Sequence, residues 1–129
     1  MTSKLAKVVY VVFGAGAILY GLANLLAPSA LHFAEAQSFP LMHNLREQGA
    51  AFIFLGLMSL WCSFNYERSR TIHHFLTLFN LFIAGIHWND YFKGYLPIGS
   101  PLFNSIAFVV FAALAIGRYR EPLESSKTV

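Results

Sequence analysis

The chain has 129 residues, 57% of them hydrophobic and only 12% charged, with a mean hydropathy of +0.54. Soluble domains carry about 25% charged residues, so this chain has too little polar surface to face water on all sides, and its composition points to one integral membrane domain, residues 1–129. The net charge of +3 is an orientation signal rather than a nucleic-acid footprint, because the basic residues stand in the gaps between apolar runs.

Lys4 and Lys7 lead the first apolar run, expected to span 5–26. Its uninterrupted stretch, Val8 to Ala23, exceeds the roughly 7–15 residues of a signal-peptide core, and no small-x-small cleavage site follows promptly, so a retained helix is expected. "GAGAILYG" (Gly14–Gly21) is not a dinucleotide loop, since no strand precedes it. Pro28 closes this span, and Pro40 suits the first turn of the second, 41–64. "NYERSR" (Asn65–Arg70) is a tight polar turn. The third span, 72–92, opens on His73 and His74, expected at the inner membrane surface near solvent or lipid phosphate. Pro97, Gly99 and Pro101 separate it from the fourth, 99–117, with Ser100 as the candidate N-cap. Arg118 follows, ahead of a polar tail over 120–129 that includes Arg120 and Lys127. The single cysteine, Cys62, excludes an internal disulfide and any CxxC pattern, and a packing role is expected for it.

The fold expected is all-α, an up-down four-helix integral membrane bundle. Basic residues place the N-terminus, the 65–71 turn and the C-terminus in the cytoplasm, with segments 27–40 and 93–98 outside. Trp88, Tyr91, Phe92 and Tyr95 form an outer aromatic belt, matched by Tyr10, Trp61, Tyr66 and Tyr119 on the inner side.

"AGIHWNDYFKGYLP" (Ala84–Pro97) poses the functional question, because His, Asn and Asp close an otherwise oily run. A span of about 30 Å needs about 20 residues at about 1.5 Å each. The uninterrupted apolar stretches are shorter: Ala50–Phe64 covers about 22 Å, Phe75–Ile86 about 18 Å and Ser105–Gly117 about 20 Å. Each span must therefore draw in polar neighbours at its outer end. These are Arg46, Glu47 and Gln48; His87, Asn89 and Asp90; and Asn104, joined by Asn24 on the first helix. An ionisable side chain at membrane depth costs about 2.5–3.5 kcal/mol, so such groups turn inward and find partners. Gly14, Ala17, Gly21 and Asn24 step by three and four along one face, Gly49, Gly56 and Ser63 repeat by seven, and Asn80, Ala84 and His87 align on the third helix. All three stripes suit close helix packing.

Several chemistries fit these residues. His43 with Glu47, and His87 with Asp90, share helix faces and resemble a weak nitrogen–oxygen metal set, but too few carboxylates accompany them and no metal is expected. Haem would need a second deep histidine beside His87, and no cofactor is expected. Partly desolvated Glu47 or Asp90 with His87 would suit acid–base chemistry, whereas Arg46–Glu47 or Arg46–Asp90 ion pairs would merely hold the bundle in register.

At "LREQGAAFIFLGL" (Leu45–Leu57) and "GIHWNDYFKGYLP" the chain resembles the DoxX-like group of small four-helix bacterial membrane proteins, with an Arg opening the second helix ahead of small residues and a polar end to the third. In layout it is also similar to the ergosterol-biosynthesis scaffold family, on Arg46, Gly85 and His87. Relatives with an acidic residue in the fourth span differ here, where Asn104 stands. The resemblance implies a bacterial inner-membrane protein acting as a partner or scaffold. Together these observations lead to a non-enzymatic membrane protein. Its outer-leaflet polar pocket (Asn24, Arg46, Glu47, Gln48, Asn80, His87, Asp90 and Asn104) would hold a lipid, a small amphipathic ligand, a partner membrane protein or a second copy. The alternative is a small membrane enzyme, isomerase-like or a redox-complex subunit, with Glu47, His87 and Asp90 as proton carriers.

Overall fold

The computed structural model describes residues 3–28 and 39–120, except the side chains of Phe39, Tyr119 and Arg120. Most of the 27–40 segment, expected to lie outside, the belt position expected for Tyr119 and the tail beyond Arg120 with Lys127 fall beyond the described residues. Four α-helices make up the rest: α1 (Ser3–Leu26), α2 (Phe39–Phe64), α3 (Arg70–Phe92) and α4 (Gly99–Arg120), with a 3-10 turn at Tyr66–Arg68 between α2 and α3. No strand occurs among the described residues. Pro40 takes the second position of α2, where its missing N–H costs nothing, and α1 ends two residues before Pro28.

Three of the helices, α1, α2 and α4, are long and apolar enough to cross a membrane. α3 matches them in length at 23 residues. It is not among the three, because Arg70, His73 and His74 at its start and His87, Asn89 and Asp90 at its end dilute the apolar stretch between. Large apolar side chains such as Val12, Leu19, Phe54, Phe64, Phe103 and Ile106 are exposed, the distribution of a surface solvated by lipid rather than water.

The residues divide into two compact helical hairpins, one ending at Ser69 and one beginning at Arg70. In the first, α1 buries Ala6, Tyr10, Gly14, Ala17, Gly21 and Asn24 and leaves most of its Leu and Val residues outside. Small residues inward and large ones outward is the arrangement expected where lipid removes the hydrophobic drive for helix pairing and close contact replaces it. Gly49, Gly56 and Ser63 of α2 are buried as well, and a Cβ on Gly14 would lie 2.9 Å from the Gly56 carbonyl oxygen. Two serines of α2 donate across the antiparallel pair, Ser59 Oγ to the Tyr10 carbonyl at 2.9 Å and Ser63 Oγ to the Lys7 carbonyl at 3.3 Å. Two expectations change here. Tyr10 and Tyr66 are buried at 0% and 5% exposure rather than lying in an interfacial belt, and the polar turn folds inward. Ser69 donates to the Tyr66 carbonyl, Cys62 Sγ lies 3.9 Å from the Ser69 carbonyl oxygen, and the Lys7 ammonium stands 5.9 Å from the Tyr66 ring centroid. Cys62 is buried, in the packing role its apolar run implied.

In the second hairpin α3 buries His73, Leu76, Asn80 and Ala84 against an α4 face that includes Pro101, Phe111 and Leu114. α3 ends on Gly94, whose φ of +77° only glycine adopts without strain. The Tyr95 amide bonds the Asp90 carbonyl and the Gly94 amide bonds the Tyr91 carbonyl, both at 2.9 Å. These paired bonds satisfy two carbonyls left open at the helix end and turn the chain back into α4.

Candidate functional site

Polar residues at the α3-to-α4 bend are held by the hairpin itself. His87 Nδ1 and Ser100 Oγ share a hydrogen bond of 2.9 Å. One turn further along α4, Trp88 Nε1 donates to Ser105 Oγ at 3.1 Å, and Ser105 donates in turn to the Pro101 carbonyl at 2.7 Å. Ser100 is thus not the N-cap expected of it: α4 already begins at Gly99, and the hydroxyl faces His87. Ser105 was not a candidate at all. It could have been found by folding α3 and α4 back on the 93–98 bend, which sets the first turns of α4 beside the last turns of α3.

The amide side chains turn back on their own helices. Asn24 donates to the Tyr20 carbonyl, Asn80 to Leu76 and Asn104 to Ser100, each four residues earlier, at 3.1, 2.8 and 2.9 Å. Every buried side-chain nitrogen and oxygen among the described residues has a hydrogen-bond partner, as a low-dielectric surrounding requires. Asp90 accepts from the Asn89 amide at 3.2 Å. His87 and Asp90, spaced to share a face, therefore hold different partners.

On α2, Arg46, Glu47 and Gln48 are all exposed. Glu47 Oε1 pairs with His43 Nε2 at 3.3 Å rather than with Arg46. Residues four apart stack on one face of a helix, whereas neighbours project about 100° apart. Both partners of the pair are well exposed, so it orients side chains more than it stabilises the fold. Of the proton carriers considered, Glu47 belongs to the first hairpin and His87 and Asp90 to the second. Among the described residues, no group of three or more His, Cys, Asp or Glu side chains stands close enough to hold a metal ion.

The aromatic cluster at the end of α3 takes shape around Trp88, whose ring lies 5.8 Å from that of Tyr91 and 5.7 Å from that of Phe92. Phe92 and Tyr95 are open to the surroundings, as interfacial anchors are.

At the opposite end of the same hairpin His73 departs from expectation. It is 1% exposed, with its ring stacked on Phe111 at 5.7 Å and 23°, while His74 beside it remains exposed. One helical step of about 100° separates the two, and it carries His73 into the α3/α4 seam with Leu76. Thr77 Oγ1 donates to the His73 carbonyl at 2.9 Å and sits 3.5 Å from its Nε2. Arg70, His73, His74, Ala115 and Arg118 line a small cavity there.

Compared with known proteins, the chain matches no family model, no curated protein and no solved structure.

Proposed function

We propose that this chain is a non-enzymatic protein of the bacterial inner membrane that crosses four times with both termini in the cytoplasm. Through the outward polar end of α2 it engages a lipid, a small amphipathic ligand or a partner membrane protein. The observation that carries the proposal is a contrast between polar groups. His87, Trp88, Asn80 and Asn104 have partners within their own hairpin, whereas Arg46, Glu47 and Gln48 form an exposed polar stretch on a helix apolar enough to span. Exposed charge on a membrane span is costly, most of all at its centre, where it reaches about 2.5–3.5 kcal/mol. A headgroup or a polar surface of a partner removes that cost by supplying bonds to Arg46 and Gln48.

A crossing by α3 is supported by its length, about 35 Å for 23 residues, and by the confinement of its charged residues to the two ends. The DoxX-like assignment stands within the same proposal. It is supported by Arg46 preceding Gly49 and Ala50 early in α2, and by the polar close of α3.

Native mass spectrometry of the intact protein released from nanodiscs tests the ligand. A lipid or polypeptide adduct is expected, lost in Arg46→Ala and retained in His87→Ala. A bare monomer before and after both substitutions would overturn the proposal.

A further inference from the structure

We infer that an amide stripe on α2 is the contact with a second copy of this chain. Asn44, Gln48 and Ala51 follow one another by four and three residues, so they share one stripe of the helix, and all three are exposed. Gly49 beside them is buried against Gly21 of α1, so the stripe lies off the α1 seam.

The amides set this stripe apart. Asn24, Asn80 and Asn104 each donate to the carbonyl four residues earlier. Among the described residues Asn44 and Gln48 hold no side-chain hydrogen bond. Gln48 lies about 24 Å along α2 from Phe64 at 1.5 Å per residue, within the roughly 30 Å of a hydrocarbon core. An amide without a partner at that depth is costly, because lipid tails offer neither donor nor acceptor.

The stripe needs a group that both donates and accepts, and a primary amide does both. A phospholipid phosphate offers acceptors alone and leaves the amide oxygens unmet. A second copy meets them. Copies inserted with one orientation are related by a two-fold axis along the membrane normal, which sets equal depths opposite each other and requires a self-complementary surface. Gln48 then faces Gln48 of the second copy, and each amide donates to the other. Glu47 and Arg46 stand about 100° and 200° around the helix from Gln48, so their like charges stay out of the pairing. Ala51 follows about one turn further on, and so small a side chain lets two helices approach closely. The inference rests on the reading that the polar end of α2 has an occupant, and it names that occupant.

Cross-linking and dilution test it on the full chain in phosphatidylcholine vesicles. In a Cys62→Ala background, Ala51→Cys is expected to give a disulfide-linked dimer on oxidation. Ala50→Cys, one step of about 100° away, should give far less. Energy transfer between copies labelled at Glu67→Cys, followed as lipid is added, reads the affinity. Gln48→Leu should weaken pairing about three- to tenfold, the worth of one interhelical side-chain hydrogen bond, and Asn44→Leu should weaken it further, while Gln48→Asn retains it. Both positions are exposed, so the unfolding temperature in detergent should not fall and loss of pairing is not loss of fold. A monomer at every dilution, pairing that survives both leucines, or equal cross-linking from Ala50→Cys overturns the inference. A monomer that still carries a lipid or a different polypeptide, lost in Arg46→Ala, overturns it and leaves the broader reading of α2 intact. A bare monomer removes both.

Discussion

Gly21 and Gly49 face each other so closely that a Cβ on Gly21 would lie 2.5 Å from the Gly49 carbonyl oxygen, and one on Gly49 would lie 2.6 Å from that of Gly21. Two turns away a Cβ on Gly56 would lie 2.7 Å from the Gly14 carbonyl oxygen. The obstructing atoms are backbone, so neither helix can yield except by moving apart. Gly21→Ala or Gly49→Ala should destabilise the protein by about 1–3 kcal/mol, the usual cost of overpacking, seen as a lower unfolding temperature in detergent. Gly16→Ala, with nothing within 4 Å of its Cβ position, should leave that temperature unchanged.

Ser59 bridges the same two helices through the Tyr10 carbonyl. Interhelical hydrogen bonds of membrane proteins average about 0.6 kcal/mol and reach about 1.7. Ser59→Ala should fall in that range in a denaturant titration, and Ser59→Val should cost more, because Ser59 is fully buried and added volume at a packed position is strained.

If His87 serves the hairpin through Ser100, the two positions should be coupled. A double-mutant cycle of His87→Ala and Ser100→Ala should show a coupling of about 0.6–1.7 kcal/mol. Strict additivity would remove the structural role assigned to the pair.

Gly94 takes the left-handed position that closes α3. Gly94→Ala should cost about 1–2 kcal/mol, measurable by thermal unfolding. Gly85→Ala, a helical position with open space around it, should be neutral or slightly stabilising.

Orientation can be read by cysteine labelling. With Cys62→Ala as background, Glu67→Cys and Lys93→Cys flank α3 and are both exposed in the native chain. They should react with a membrane-impermeant reagent from opposite sides, Glu67→Cys from the cytoplasm. Labelling of both from one side would show that α3 does not cross.

Much of the fold was legible before any coordinates. Spans expected at 5–26, 41–64, 72–92 and 99–117 correspond to helices at 3–26, 39–64, 70–92 and 99–120, because prolines and charged turns punctuate the apolar runs unambiguously. The seam of α1 was legible too, since small residues at three- and four-residue steps among Leu and Val have few uses besides close contact. The polar partners were not. Spacing along one helix brought out His43 with Glu47, but Ser100, Ser105 and the buried His73 depend on which residues meet across a hairpin.

The order of residues alone determined the helical class, the lipid-facing composition and the helix limits, because those follow from local hydropathy and backbone chemistry. Only the tertiary structure decided that Tyr10 and His73 lie inside, that Trp88 reaches Ser105, and that Arg70, His73, His74 and Arg118 line one small cavity. Those outcomes turn on a rotation of about 100° per residue and on how deeply two helices interpenetrate, and neither quantity is written in a single strand of sequence.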